Sequence, residues 1–144
     1  MAAAKDAKVV WKEGLAFEGI GGPGFTVSLD TRAEEGGGTG FSPMELLLVS
    51  LAGCTAMDVI SILNKKRQEV TSFEVHAQAE RATEHPRVFT HIVLEFVVTG
   101  HQIDRTAVER SVELSATKYC PASAMLGQVV KIEHKITVLE AEAL

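Results

Sequence analysis

The sequence predicts an α+β protein with the element order βββ-α-ββ-α-β, and three observations carry that prediction. Short alternating segments open the chain. A capped, almost wholly apolar stretch then runs from Pro43 to about Arg67 at helical length. Two long alternating runs follow it and match each other in length, as the arms of an antiparallel hairpin should. At 144 residues the chain fits one domain, 1–144, large enough to bury a core.

Lys8–Lys12 and Leu15–Ile20 flank the turn-prone pair Glu13-Gly14, which suggests a hairpin. Phe25–Asp30 alternates apolar and polar residues like a half-buried strand. Glu34–Gly40 (EEGGGTG) reads as a loop, since glycine loses the most backbone freedom on ordering. Ser42-Pro43 places a capping hydroxyl before a proline at the first helical position, and Glu45 completes a capping box. The helix that follows would be a rod of roughly 36 Å. Its first half, MELLLVSLAGCTAM, is apolar nearly all round, which marks a buried central helix. Val70–Arg81 and Val88–Thr99 form the long strand pair. Asp104–Tyr119 is a second helix, Ala122–Gln128 makes one or two turns, and Ile132–Leu139 closes the chain as a strand.

A net charge of −5 argues against a nucleic-acid footprint, which would be basic. The N-terminal residues lack a signal-type apolar core. The longest apolar run, Leu46–Ala52, is interrupted by Ser50 and is too short to span a bilayer. No membrane contact and a cytoplasmic address are therefore expected. His76, His85, His91, His101 and His134 lack metal-ligand spacing, and the glycines at 36–38 are not followed by the lysine of a phosphate loop. No metal and no cofactor are expected. Trp11 reads as core or dimer packing. His76 and His91 lie on facing strands, where solvent-side positions are the ordinary explanation.

Chemistry concentrates around two cysteines, Cys54 and Cys120, 66 positions apart. In a reducing compartment such a pair is ordinarily two small buried hydrophobes. The surroundings say more. Ser50, Cys54, Asp58 and Ser61 follow at steps of four, four and three, so they share one face of the apolar helix. A polar stripe on a buried helix must meet polar partners, water or a ligand, or bond back to the preceding turn. Cys120 directly precedes Pro121, which is well placed to begin a short helix. A thiol at that position feels the helix's positive end, which favours the thiolate. Packing against the core is its ordinary alternative.

Ser42-Pro43-Met44-Glu45-Leu46-Leu47 leading to Ala52-Gly53-Cys54, with Cys120-Pro121-Ala122-Ser123 further on, resembles the OsmC/Ohr family of thiol proteins. The order of elements agrees over nearly the whole chain. The resemblance implies an OsmC-like fold: an intertwined homodimer whose long central helices are wrapped by antiparallel strands. It implies that Cys54 attacks a peroxide to become a sulfenic acid, and that Cys120 resolves it as a disulfide. A dithiol, which in the family can be a lipoylated protein, would reduce the pair again.

Two positions depart from the family's peroxidases, which place a glutamate directly after the proline to pair with an arginine that activates the cysteine. Here Met44 stands there and the carboxylate is Glu45, nine residues from Cys54 and so on the opposite side of an ideal helix. The upstream arginine is Arg32, at the edge of the glycine loop. Asp58, one turn from Cys54, would raise the thiol pKa if ionised. The expected function is a thiol-dependent peroxidase acting on organic hydroperoxides, with hydrogen peroxide as a secondary candidate substrate, and with Cys54, Cys120, Arg32 and Glu45 as its site. Leu47, Leu51, Met57 and Met125 would favour an alkyl substrate. The alternative is a stress-response binding module of the same fold, holding a small electrophile or thiol ligand without turnover. A structural dimer with inert thiols is the third reading.

Overall fold

Alternation at the N-terminus produces a three-stranded antiparallel sheet, β1 (Ala7–Glu13), β2 (Ala16–Gly21) and β3 (Thr26–Leu29), in the order β1-β2-β3. The computed structural model describes residues 5–143, which divide into two compact units with the boundary after Leu47. The β1–β2 turn is made by Gly14 at φ 53°, a left-handed conformation that glycine adopts without penalty. The indole of Trp11 donates to the Gly14 carbonyl at 2.9 Å across that turn. Trp11 is 64% exposed, so within this chain it is a turn residue and not part of the core.

Beyond β3 the glycine-rich segment is ordered by one carboxylate. Asp30 is buried, and it accepts hydrogen bonds from the Thr31 and Thr39 amides at 2.7 and 3.3 Å and from the Thr39 hydroxyl. Between these anchors lies a 3-10 turn, Ala33–Glu35, closed by Gly36 at φ 90°. Phe41 bridges back to Leu29 in parallel.

Helix α1 (Pro43–Lys65) starts where the capping signals place it, with the Ser42 hydroxyl accepting the Glu45 amide at 3.2 Å. It ends two residues short of the expected limit, and Arg67 then takes the left-handed conformation at φ 57°. Leu51, Thr55, Val59 and Leu63, at steps of four, are its buried residues. The rest of the helix is half-buried or exposed in this chain, with Met57 73% exposed. By length and composition α1 could cross a membrane: it has 23 residues, and an 18-residue window within it has a mean hydropathy of 2.1. The central helix of a folded core meets the same measure.

The second sheet has the order β4-β5-β6: β4 (Glu69–Arg81), β5 (Phe89–His101) and β6 (Lys131–Glu140). The β4–β5 pair is the expected antiparallel hairpin, registered from Glu69↔His101 to Arg81↔Phe89. β6 instead joins β5 in parallel, which the helical crossover through residues 102–130 makes possible. Central β5 supplies the largest share of the core, with Phe89, Ile92, Leu94, Phe96 and Val98 all buried. His76 faces Glu95 across the hairpin and bonds Glu74 at 2.7 Å, so it does not meet His91.

The crossover differs from expectation at one place. Asp104 caps α2 (Arg105–Leu114) by accepting the Thr106 amide, and Ala107, Val108, Ser111 and Val112 form its buried face. The α-helix stops at Leu114. Residues Ser115–Tyr119 widen into a π-helical turn, and Cys120 then caps α3 (Pro121–Leu126). A sequence pattern read at 3.6 residues per turn runs straight through this widening.

Candidate active site

Both cysteines lie in the C-terminal unit, on segments that approach each other. Cys54 sits in the middle of α1, half-buried, and Cys120 sits between the π-turn and α3, buried at 2% exposure. The two thiols are free, and Cys120 is close enough to Cys54 to raise its pKa. The first turn of α3 supplies the Ser123 amide to Cys120 Sγ at 3.3 Å, and its Ala122 amide lies near enough to Cys54 to lower the pKa of that thiol. Pro121 at the first helical position leaves these amides as the free donors of the turn.

The electrostatics of Cys54 favour the protonated thiol. Burial raises its pKa above the ordinary thiol value, and the Cys120 side chain and the charge of Asp58 push the same way. The Ala122 amide acts in the opposite direction and lowers it.

Behind the thiols a buried polar bridge joins α1 to the π-turn. The Thr55 and Ser115 hydroxyls lie 2.7 Å apart, and Ser115 donates to Asp58 Oδ2 at 2.9 Å. Asp58 also lines a cavity of about 310 Å³ with Ser61, Ile62, Lys65, Leu114 and Tyr119. The Ser123 hydroxyl is buried without a hydrogen-bond partner, an uncommon condition for a buried polar group and one that an added oxygen atom would relieve. Among the described residues, no group of three or more His, Cys, Asp or Glu side chains is arranged to hold a metal.

Arg32 and Glu45 belong to the N-terminal unit. Arg32 pairs with Glu35 at 2.7 Å and is 59% exposed at its side chain, with weaker attraction from Glu34 and Glu45. Glu45 lines a recess with Val27, Ser28, Gly38, Thr39, Gly40 and Phe41, in addition to its place in the helix cap. Of the apolar neighbours expected to select an alkyl substrate, Leu51 is core, while Met57 and Met125 are 73% and 75% exposed. None of these three lines the cavity, whose apolar walls are Ile62 and Leu114.

The sequence pointed to both thiols, to Asp58 and, within the second cysteine motif, to Ser123, but not to Thr55 or Ser115. A signal for Ser115 existed. Ser111 and Ser115 continue the buried face of α2 at helical spacing, where a hydroxyl needs a partner.

A paired-thiol centre between a long apolar helix and a short crossover turn, in an α+β chain of this order, defines an OsmC-type thiol protein. The chain belongs to the OsmC-like protein family, whose model matches residues 36–135. It is 45% identical over 135 residues to Protein YhfA of Escherichia coli strain K12, covering 94% of this chain and 98% of that one. A crystal structure of a hypothetical protein from Aquifex aeolicus superposes with a TM-score of 0.87 at 28% identity, covering 98% and 100% of the two chains. An organic hydroperoxide resistance protein OsmC from Legionella pneumophila shares the fold, with a TM-score of 0.72 at 18% identity over 96% and 99%.

Proposed function

We propose that the protein is a thiol-dependent peroxidase acting on organic hydroperoxides through Cys54 and Cys120. The observation that carries this reading is two free thiols close enough for one to perturb the other, with the turn of α3 donating the Ser123 amide to Cys120. In the proposed cycle the Cys54 sulfur attacks the terminal peroxide oxygen. The O–O bond breaks, the alcohol leaves with a proton, and Cys54 becomes a sulfenic acid. The Cys120 sulfur then attacks the sulfenic sulfur, forming the disulfide and releasing water. A dithiol, such as a lipoylated protein, reduces the disulfide and is itself oxidised. The cavity against Ile62 and Leu114 offers room for an organic tail, and the unpartnered Ser123 hydroxyl offers a hydrogen bond to an oxygen atom. Arg32 and Glu45 are the residues proposed to assist Cys54, with the carboxylate one position later than in the family's peroxidases. We also propose a cytoplasmic homodimer, in which a second copy covers the apolar surface that α1 leaves open.

The test is a thiol count and intact mass before and after one equivalent of cumene hydroperoxide. Loss of both thiols with a mass decrease of two hydrogens is expected. Cys54→Ser should consume no peroxide, and Cys120→Ser should stop after one turnover with a trapped sulfenic acid. Full turnover by Cys54→Ser would remove the mechanism.

One observation favours the second reading, a binding module that holds an electrophile or thiol ligand without turnover. The Cys54 pKa is raised, when a peroxidatic thiol needs it lowered. Under that reading the rate of Cys54 alkylation by iodoacetamide climbs with pH to a midpoint above that of a free thiol. A midpoint below neutral would discard it.

A further inference from the structure

Ser115 touches both segments that carry the thiols. Its side chain faces α1, where its hydroxyl lies 2.7 Å from Thr55 Oγ1 and donates to Asp58 Oδ2 at 2.9 Å. Its carbonyl faces the other way and accepts the Cys120 amide at 2.9 Å, the bond that closes the π-turn. Ser115 and Thr55 are 0% and 1% exposed, so water does not compete for these bonds. The hydroxyl inventory admits one ordering. Ser115 gives its single proton to the carboxylate, so the proton in the 2.7 Å contact comes from Thr55. Thr55 adjoins Cys54 in sequence, Asp58 lies one turn beyond it, and Cys120 follows the π-turn directly. A single residue thus ties the middle of α1 to the peptide of the second cysteine.

We infer that Ser115 is a positioning residue: through the Thr55–Ser115–Asp58 bridge and the Cys120 amide it holds the two sulfurs at reacting distance. The inference rests on the reading of Cys54 and Cys120 as a working pair, and it accounts for two features that reading leaves over. One is a carboxylate beside a nucleophilic thiol. Asp58 opposes ionisation of Cys54, so its use is as the acceptor that anchors Ser115. The other is the π-turn. An uninterrupted α-helix would send the Cys120 amide to residue 116, whereas the wider turn sends it to Ser115 and brings side chain and carbonyl of one residue into the same clamp.

The test measures thiol pairing apart from peroxide chemistry. In a glutathione redox buffer the protein exchanges with oxidised glutathione. Two protein thiols become one disulfide, and the two electrons and two protons pass to give two molecules of reduced glutathione. The equilibrium constant reports the effective concentration of one thiol at the other, and general loss of packing in both states leaves it unchanged. Ser115→Ala is expected to lower it by about tenfold or more, the scale on which small displacements weaken intramolecular reactions. Asp58→Asn, whose amide oxygen still accepts from Ser115, should stay within about threefold of wild type on the same scale. Should Ser115→Ala fail to fold, Asp58→Leu at the cavity wall removes the same anchor, with circular dichroism as the check on folding. A constant within about twofold of wild type in the folded variant overturns the inference. A wild-type protein that forms no Cys54–Cys120 disulfide in the buffer overturns it as well. Peroxide consumption is scored separately. The tenfold loss together with no peroxide turnover by the wild type would leave the clamp standing and remove the peroxidase reading.

Discussion

The two units of this chain are held by different forces. Residues 5–47 bury no large apolar side chain: Gly19 and Asp30 are their buried positions, and Val9, Trp11, Leu15 and Phe25 are exposed. Their order comes from short strand pairings, left-handed glycines and the Asp30 hub. Residues 48–143 contain every buried apolar residue among those described, centred on β5, α1 and α2. The paired thiols lie in that second unit, on a helix and a crossover that its core fixes. A reactive pair needs sub-ångström placement, and close-packed surroundings supply it better than a glycine-rich loop does.

The sharpest way to break the contrast is to open the core. Phe96 is fully buried, so Phe96→Ala should cost about 3–5 kcal/mol in urea unfolding and loosen the thiol pair with it. A loss below about 1 kcal/mol would show that β5 is not the centre of the stable unit.

A smaller effect is expected in the first unit. Hydrogen bonds from the Thr39 hydroxyl and the Thr31 amide hold the Asp30 carboxyl below the ordinary carboxylate range. A lowered folded pKa stabilises the ordered loop above the unfolded value, and that contribution is lost as pH falls through the folded one. Protection factors of the amides across residues 31–40, with the intrinsic pH dependence of exchange divided out, should therefore fall in the wild type as pH drops below the ordinary carboxylate range. In Asp30→Asn they should be lower at neutral pH and flat through the same window. An unchanged acid response in the variant would assign the order of the loop to its glycines and strand contacts.

The smallest effect on the stability of a single chain is expected at Met57→Glu, under about 0.5 kcal/mol, because the side chain is 73% exposed. If a second copy covers α1, the same change splits the proposed dimer, as sedimentation would show. A dimer that survives it would place the interface elsewhere.

Much of this was legible from residues alone. Ser42-Pro43 fixed the start of α1 because capping is a local event, and the alternation of Val70–Arg81 with Val88–Thr99 identified the β4–β5 hairpin. The two cysteine motifs and their surroundings pointed to the OsmC-like family. What sequence alone could not reach depends on contacts between distant residues. The parallel seat of β6 follows from how the crossover packs. The π-turn at Ser115–Tyr119 has no periodicity of its own, since one widened turn is too short to shift a hydrophobic pattern. The Asp30 hub joins residues nine positions apart through a loop without regular structure. Above all, that Thr55, Ser115 and Asp58 share hydrogen bonds across some sixty positions is a property of the folded chain. Local chemistry supplied two hydroxyls and a carboxylate; only tertiary packing, which brings together groups that the chain keeps far apart, decided that they meet.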